Sequence, residues 1–251
     1  MKLAIIGGSG LEKLEIFKNP KERIVETPYG SPSSPLLEGT MLGMEVVFLS
    51  RHGREHTIAP THVNNRANIW ALQQAGCTHI IATTACGSMR EDIGRGHIVV
   101  LDQFIDFTRF RSNTFHDTFQ PHQPIHTGMA TPFSDELRHL IMAALADLAF
   151  PYHQTGTVIT IEGPRFSTRA ESLMFRQWGA DVINMSTAPE CMLANEAAIP
   201  YAAIALSTDY DCWKMDEEPV TWAAILEVFQ KNVENVTKLL VRMVERVQGS
   251  K

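Results

Sequence analysis

Tyr201-Ala-Ala-Ile-Ala-Leu-Ser-Thr-Asp-Tyr-Asp-Cys-Trp213 joins an apolar run to two carboxylates spaced two residues apart. The run from Tyr201 to Leu206 reads as a strand, and Asp209 and Asp211 fall just past it. In an open α/β sheet, ligands bind outside the carboxyl ends of strands. A carboxylate pair there suits an adenine edge. N7 of adenine accepts a hydrogen bond and the 6-amino group donates one. One Asp sharing a proton with N7 and one ionised Asp facing the amine would read both. The proton on N7 would also activate the purine as a leaving group. The same residues suit a polar loop whose Asp side chains form Asx-turns, so the rest of the chain decides between the two.

Outward from this stretch, strands alternate with helices. Strands are expected at Leu3–Ile6, Glu45–Leu49, His79–Thr84, His97–Ile105, Thr155–Ile161 and Asp181–Met185. Helices are expected over Val63–Gln74, from the N-cap Ser134 to Phe150, and over Arg169–Trp178, Pro189–Ala198 and Val220–Val247. Ala85-Cys-Gly-Ser88 reads as a small-residue turn. Thr108–Thr131, with Pro121 and Pro124, reads as a long irregular loop, a kind usually functional or disordered. This alternation predicts a single α/β domain over residues 1–251, with a mixed central sheet flanked by helices.

Hydrophobic residues make up 44% of the 251 and charged residues 20%, an ordinary soluble-enzyme balance with room for a large core. A net charge of −6 argues against a nucleic-acid partner, which calls for a basic stripe. Cys77, Cys86, Cys191 and Cys212 form no C-x-x-C pair and read as free thiols of a reducing compartment. Four apolar residues before Gly7-Gly8 are too few for a signal-peptide core, and no run has the length of a membrane span. A cytoplasmic protein with no membrane partner is expected.

Other strand ends carry polar groups. Gly7-Gly8-Ser9-Gly10 presents N–H groups suited to an anion, although a plain tight turn reads the same. It lacks the third glycine of a dinucleotide fingerprint and the lysine of a P-loop. Arg51-His52-Gly53-Arg54 offers a guanidinium fork and an imidazole for phosphate, or forms a solvated basic turn. His52, His56 and His62 share no helical register and lack an acidic partner, so no metal site is expected. Thr83-Thr84-Ala85-Cys86-Gly87-Ser88 supplies hydroxyls and N–H groups, but Ser88 has no nucleophile elbow. Phe166 in Thr160-Ile-Glu-Gly-Pro-Arg-Phe-Ser167 can stack on a base or fill the core, and Arg165 can form a structural salt bridge. Met185 in Asn184-Met-Ser186 offers a soft face to a sugar or plain core filling. Taken together, these strand ends describe a site for a purine nucleoside and phosphate.

The chain resembles the trimeric purine nucleoside phosphorylase family over nearly its whole length. The resemblance rests on Ile5-Ile-Gly-Gly-Ser-Gly-Leu11, Arg51-His-Gly-Arg54, Asn68-Ile-Trp-Ala-Leu72, Thr83-Thr-Ala-Cys-Gly-Ser88, Asp102-Gln-Phe-Ile-Asp106, Ile161-Glu-Gly-Pro-Arg-Phe-Ser167, Arg169-Ala-Glu-Ser172, Trp178-Gly-Ala-Asp-Val-Ile-Asn-Met185 and Thr208-Asp-Tyr-Asp-Cys-Trp-Lys214. It implies a nucleoside-phosphorylase fold with a partly barrel-like sheet. The implied reaction is phosphorolysis of 5′-methylthioadenosine, with inorganic phosphate as co-substrate and no metal or organic cofactor. Ser9, Arg51, His52, Thr84, Ala85 and Ser186 match phosphate ligands. Phe166, Ser167, Ile183, Met185, Tyr210 and Trp222 match the nucleoside-binding positions, with Asp209 and Asp211 as the catalytic, adenine-reading pair. His126 resembles a histidine lent by a neighbouring subunit of a homotrimer. Trp222 stands where a small aliphatic residue is usual, and the chain stops at Lys251 where eukaryotic members run on, which leaves the 5′-substituent open. A 6-oxopurine phosphorylase is the alternative within the class; a dehydrogenase and a non-catalytic nucleoside-binding protein lie outside it.

Overall fold

The computed structural model describes residues 1–7, 17–216 and 221–249, with backbone alone for 222–227 and 229–232. In chain order its strands are β1 (Leu3–Gly7), β2 (Phe17–Arg23), β3 (Leu36–Met41), β4 (Met44–Ser50), β5 (His79–Ser88), β6 (Ile98–Val100), β7 (Gln103–Phe107), β8 (Tyr152–His153), β9 (Thr157–Ile161), β10 (Val182–Asn184) and β11 (Tyr201–Asp209). The helices are α1 (Asn65–Gln74), α2 (Asp135–Leu148), α3 (Arg169–Gln177), α4 (Thr187–Glu196) and α5 (Trp222–Gly249).

The strands form one mixed sheet that branches on β5. One edge of β5 pairs in parallel with β11 from Ile80 to Gly87. The other edge pairs first with β1, through Ala82, and then with β10, from Gly87. Beyond β1 lie β4, β3 and β2; beyond β10 lie β9 and β7; beyond β11 lie β6 and β8. The central strands β1 and β11 are buried along their whole lengths, so they read as continuous apolar runs. One face packs on α1 and α4 through Ile69, Leu72, Cys191 and Leu193. The other packs on α2 and α5 through Leu137, Ile141, Leu239 and Met243. The expected α/β architecture, with helices flanking a mixed sheet, is therefore present.

Several expected boundaries move for identifiable reasons. Helix α1 starts after Asn64, whose side chain accepts from the Ala67 N–H at 3.1 Å, so Val63 stays outside. The stretch Ala85–Ser88 is not a turn: its small residues continue β5 because β11 and then β10 pair with it. The strand expected over 97–105 divides at Leu101-Asp102. Asp102 exchanges bonds with Gly156, and the chain passes from pairing β11 to pairing β9. Strands β2, β3 and β8 were not expected. Between residues 108 and 131 the chain is irregular, as read, apart from a bridge between Gln120 and Gln123. No helix among the described residues is long and apolar enough to cross a membrane.

Candidate active site

The carboxylate pair lies where β11 runs out, with Asp209 as its last residue. Asp211 adopts a left-handed conformation, φ 43°, which Asp tolerates better than most residues, and the chain turns there into a short 3-10 segment. Asp209 accepts from the Asp211 N–H at 2.8 Å and from the Thr208 hydroxyl at 2.8 Å. The Ser167 hydroxyl lies 2.8 and 2.7 Å from the two oxygens of Asp211 and shares its single proton between them. Both Asp side chains are buried, and burial raises both pKa values despite these hydrogen bonds. Gly87 makes the room: a Cβ there would meet Asp209 Oδ1 at 2.9 Å, Ile183 Cγ2 at 3.0 Å and Asp211 Cβ at 3.3 Å. Asp209, Asp211, Ser167 and Ile183 are thus brought together around one glycine.

The strand ends expected to hold phosphate lie at a gap in the sheet. On one edge of β5, pairing with β1 ends at Ala82 and pairing with β10 begins at Gly87. Since β10 runs antiparallel to β5 and β1 parallel, the carboxyl ends of β1 and β10 face each other across Thr83–Cys86. Converging carboxyl ends are where such sheets bind ligands. Thr84 and Ala85 lie in this gap. The Thr84 hydroxyl is 3.1 Å from that of Ser186 and accepts from Asn184 Nδ2 at 3.2 Å. Ser186 is the N-cap of α4 but makes no side-chain cap bond.

Arg51 follows β4, and its N–H donates to Gly7 O at 3.1 Å, which sets it at the end of β1. Its guanidinium is buried. Nε and Nη2 donate to the two carboxylate oxygens of Glu190, and Nη1 donates to Thr83 O at 2.9 Å. Glu190 is fully buried and also accepts from Tyr201 Oη at 3.0 Å. His52 donates from Nδ1 to Ile58 O at 2.9 Å. Burial, then the Arg51 charge, lower its pKa to about 4, so the ring is neutral near pH 7.

Met185 and Phe166 follow β10 and β9. Met185 packs against the cluster around Phe175 and Trp213. Gly163, φ +67°, admits it: a Cβ there would come 2.5 Å from Met185 Sδ. Phe166 is 40% exposed, which sets aside the core-filling alternative. Arg165 pairs with Glu171 at 2.7 Å, the structural salt bridge considered above. Tyr210 is half-buried, with Lys214 Nζ 4.0 Å from its ring centre. His126 is exposed, its ring 5.7 Å from that of Phe119. Ser9 lies outside the described residues, and Trp222 opens α5 in the part described by backbone alone.

The family assignment follows from comparison of the whole chain. The Phosphorylase superfamily matches it over residues 2–245. This chain belongs to the Phosphorylase superfamily. Within the superfamily it is 51% identical to S-methyl-5'-thioadenosine phosphorylase of Danio rerio, covering 98% of this chain and 89% of that protein. It is 50% identical to the Drosophila melanogaster enzyme of the same name, covering 98% and 86%. The solved structure of methylthioadenosine phosphorylase from Schistosoma mansoni in complex with adenine superposes with a TM-score of 0.93. That pair is 42% identical, over 100% of this chain and 93% of the other.

Four residues outside the expected set, Gly87, Glu190, Asn184 and Arg111, shape these strand ends. Arg111, inside the irregular loop, donates to Met185 O at 2.6 Å, Glu162 O at 2.6 Å, Ile161 O at 3.2 Å and Glu162 Oε1 at 3.1 Å. It ties the ends of β9 and β10 together. Each of the four acts across more than 20 residues of sequence, and only the small size of Gly87, at a strand end, offered any local signal.

Proposed function

We propose that this chain is a phosphorolytic pentosyltransferase that converts 5′-methylthioadenosine and phosphate to adenine and 5-methylthioribose 1-phosphate. One observation carries the reading: a buried carboxylate pair meets, around Gly87, the strand-edge gap that holds Thr84, Ala85 and Ser186. The identity to methylthioadenosine phosphorylases along the whole chain supports the substrate.

Asp209 shares a proton with N7 of the base, a role that the upward shift of its pKa by burial favours. Asp211, with Ser167 donating to it, accepts from the 6-amino group. Phe166 stacks on the base and Ile183 packs beside it; Met185, Tyr210 and Trp222 line the sugar and its 5′ tail. Phosphate held by Ser9, Arg51, His52, Thr84, Ala85 and Ser186 supplies the nucleophile. Its charge stabilises the oxocarbenium character that builds on the sugar as the bond to the base breaks. A nucleophile from the co-substrate and a proton from Asp209 complete the chemistry, so no metal or organic cofactor is required.

We further take the enzyme to be a cytoplasmic homotrimer. The loop from 108 to 131 exposes Phe110, Phe119 and Ile125, an apolar set suited to a subunit contact that brings His126 to a neighbour's alkylthio pocket. The deciding experiment is release of free base from methylthioadenosine, adenosine, methylthioinosine and inosine, each with and without phosphate. Release from methylthioadenosine that ignores phosphate would sink the reading. Sedimentation at assay concentration tests the trimer, and a fully active monomer would exclude the shared site.

A further inference from the structure

The orientation of His52 has a chemical consequence. Two hydrogen bonds hold it against Ile58: Nδ1 lies 2.9 Å from Ile58 O, and the Ile58 N–H donates to His52 O at 3.0 Å. A carbonyl oxygen only accepts, so Nδ1 carries the ring hydrogen. In a neutral imidazole the other nitrogen, Nε2, then presents a lone pair and not a donor. Burial first, and then the surrounding charges, keep the ring neutral. Arg51 is its chain neighbour, His56 stacks on it at 4.6 Å, and the charge of Arg111, in the irregular loop, acts on it more weakly. Each disfavours a second positive charge. Glu190, the carboxylate nearest in function, is already bound through both oxygens to Arg51.

We propose that His52 reads the proton of the phosphate co-substrate: Nε2 accepts a hydrogen bond from the P–OH of hydrogen phosphate, so the site selects an oxyanion that carries a proton. The inference rests on the phosphorolytic reading above. Sulfate has nearly the shape and charge of hydrogen phosphate but carries no proton near neutral pH. Its oxygen would meet the Nε2 lone pair, acceptor against acceptor. Sulfate therefore binds only when His52 itself takes up a proton, whereas hydrogen phosphate brings one.

Binding of the two anions to the wild-type protein, measured by calorimetry in buffers of different ionisation enthalpy, tests this. Hydrogen phosphate is expected to bind with little proton uptake and with an affinity for that species that is flat between about pH 6.5 and 8.5. Sulfate is expected to bind with net proton uptake and to weaken as pH rises over that range. His52→Gln, whose amide donates as readily as it accepts and does not titrate, is expected to abolish the sulfate slope. Equal pH slopes for the two anions in the wild type, or a sulfate slope that persists in His52→Gln, would overturn the inference. The parent reading fails separately: there, release of base would not depend on phosphate at all.

Discussion

Gly87 and Asp209 are packed so closely that a Cβ on residue 87 would come 2.9 Å from the Asp209 Oδ1 atom. That oxygen also accepts from the Asp211 N–H, and its partner oxygen accepts from Thr208, so the carboxylate has little freedom to retreat. Gly87→Ala is expected to push Asp209 off its position. Overpacking of this kind destabilises by about 1–3 kcal/mol, and a misplaced catalytic group near the chemistry loses roughly 100-fold in rate. Thermal unfolding and kcat/KM measured together check it. Wild-type activity in Gly87→Ala would mean that the pair tolerates displacement.

Arg51 has two separable roles. Removing it leaves Glu190 charged and buried, which destabilises by about 3–5 kcal/mol. Arg51→Ala is therefore expected to lower Tm and phosphate use together. The double variant Arg51→Ala/Glu190→Gln removes the orphaned charge and is expected to regain much of the stability while phosphate use stays impaired, by roughly tenfold to a hundredfold for a lost charged hydrogen bond. Chemical denaturation and the phosphate KM separate the two effects. Recovery of phosphate use in the double variant would take Arg51 out of the binding site.

The raised pKa of Asp209 sets a direction for pH. Burial makes the folded protein hold this proton more tightly than the unfolded chain does. The group thus favours folding in its protonated form, and that contribution is lost as pH rises through its folded pKa. Activity is expected to follow the same limb, because N7 needs the proton. The pH profile of kcat/KM should fall on the alkaline side in the wild type, and Asp209→Asn should lack that limb while working far more slowly. Stability at neutral pH should not suffer in Asp209→Asn. An unchanged alkaline limb in that variant would assign the limb to another group.

Base choice tests the carboxylate pair directly. A 6-oxopurine places an acceptor where adenine has a donor, so ionised Asp211 would face it acceptor to acceptor. Sites built to hydrogen-bond one group reject mismatched analogues strongly, since a buried partner is left unpaired. The wild type is expected to prefer methylthioadenosine to methylthioinosine, and Asp209→Asn to narrow the difference. Equal kcat/KM for the two substrates in the wild type would show that the pair does not read position 6.

The sequence by itself determined the buried strands and the chemistry at their ends. Leu3–Ile6 and Tyr201–Leu206 are apolar throughout because β1 and β11 are covered on both faces, and the local pattern records that environment. Asp209, Asp211, Thr84 and Ser186 are legible as polar residues at or near the ends of apolar runs. Strand β2 left no such trace. Between Phe17 and Arg23 most of its residues are exposed, as suits a charged edge strand that, among the described residues, pairs with β3. Only the tertiary structure decided how the strand ends combine. The gap along β5 exists because β1 stops at one register and β10 starts at another, which no local window contains. Glu190 reaches Arg51 across 139 residues, and Arg111 reaches Met185 across 74. These contacts are set by packing of distant segments, so their partners become legible only when the chain is folded.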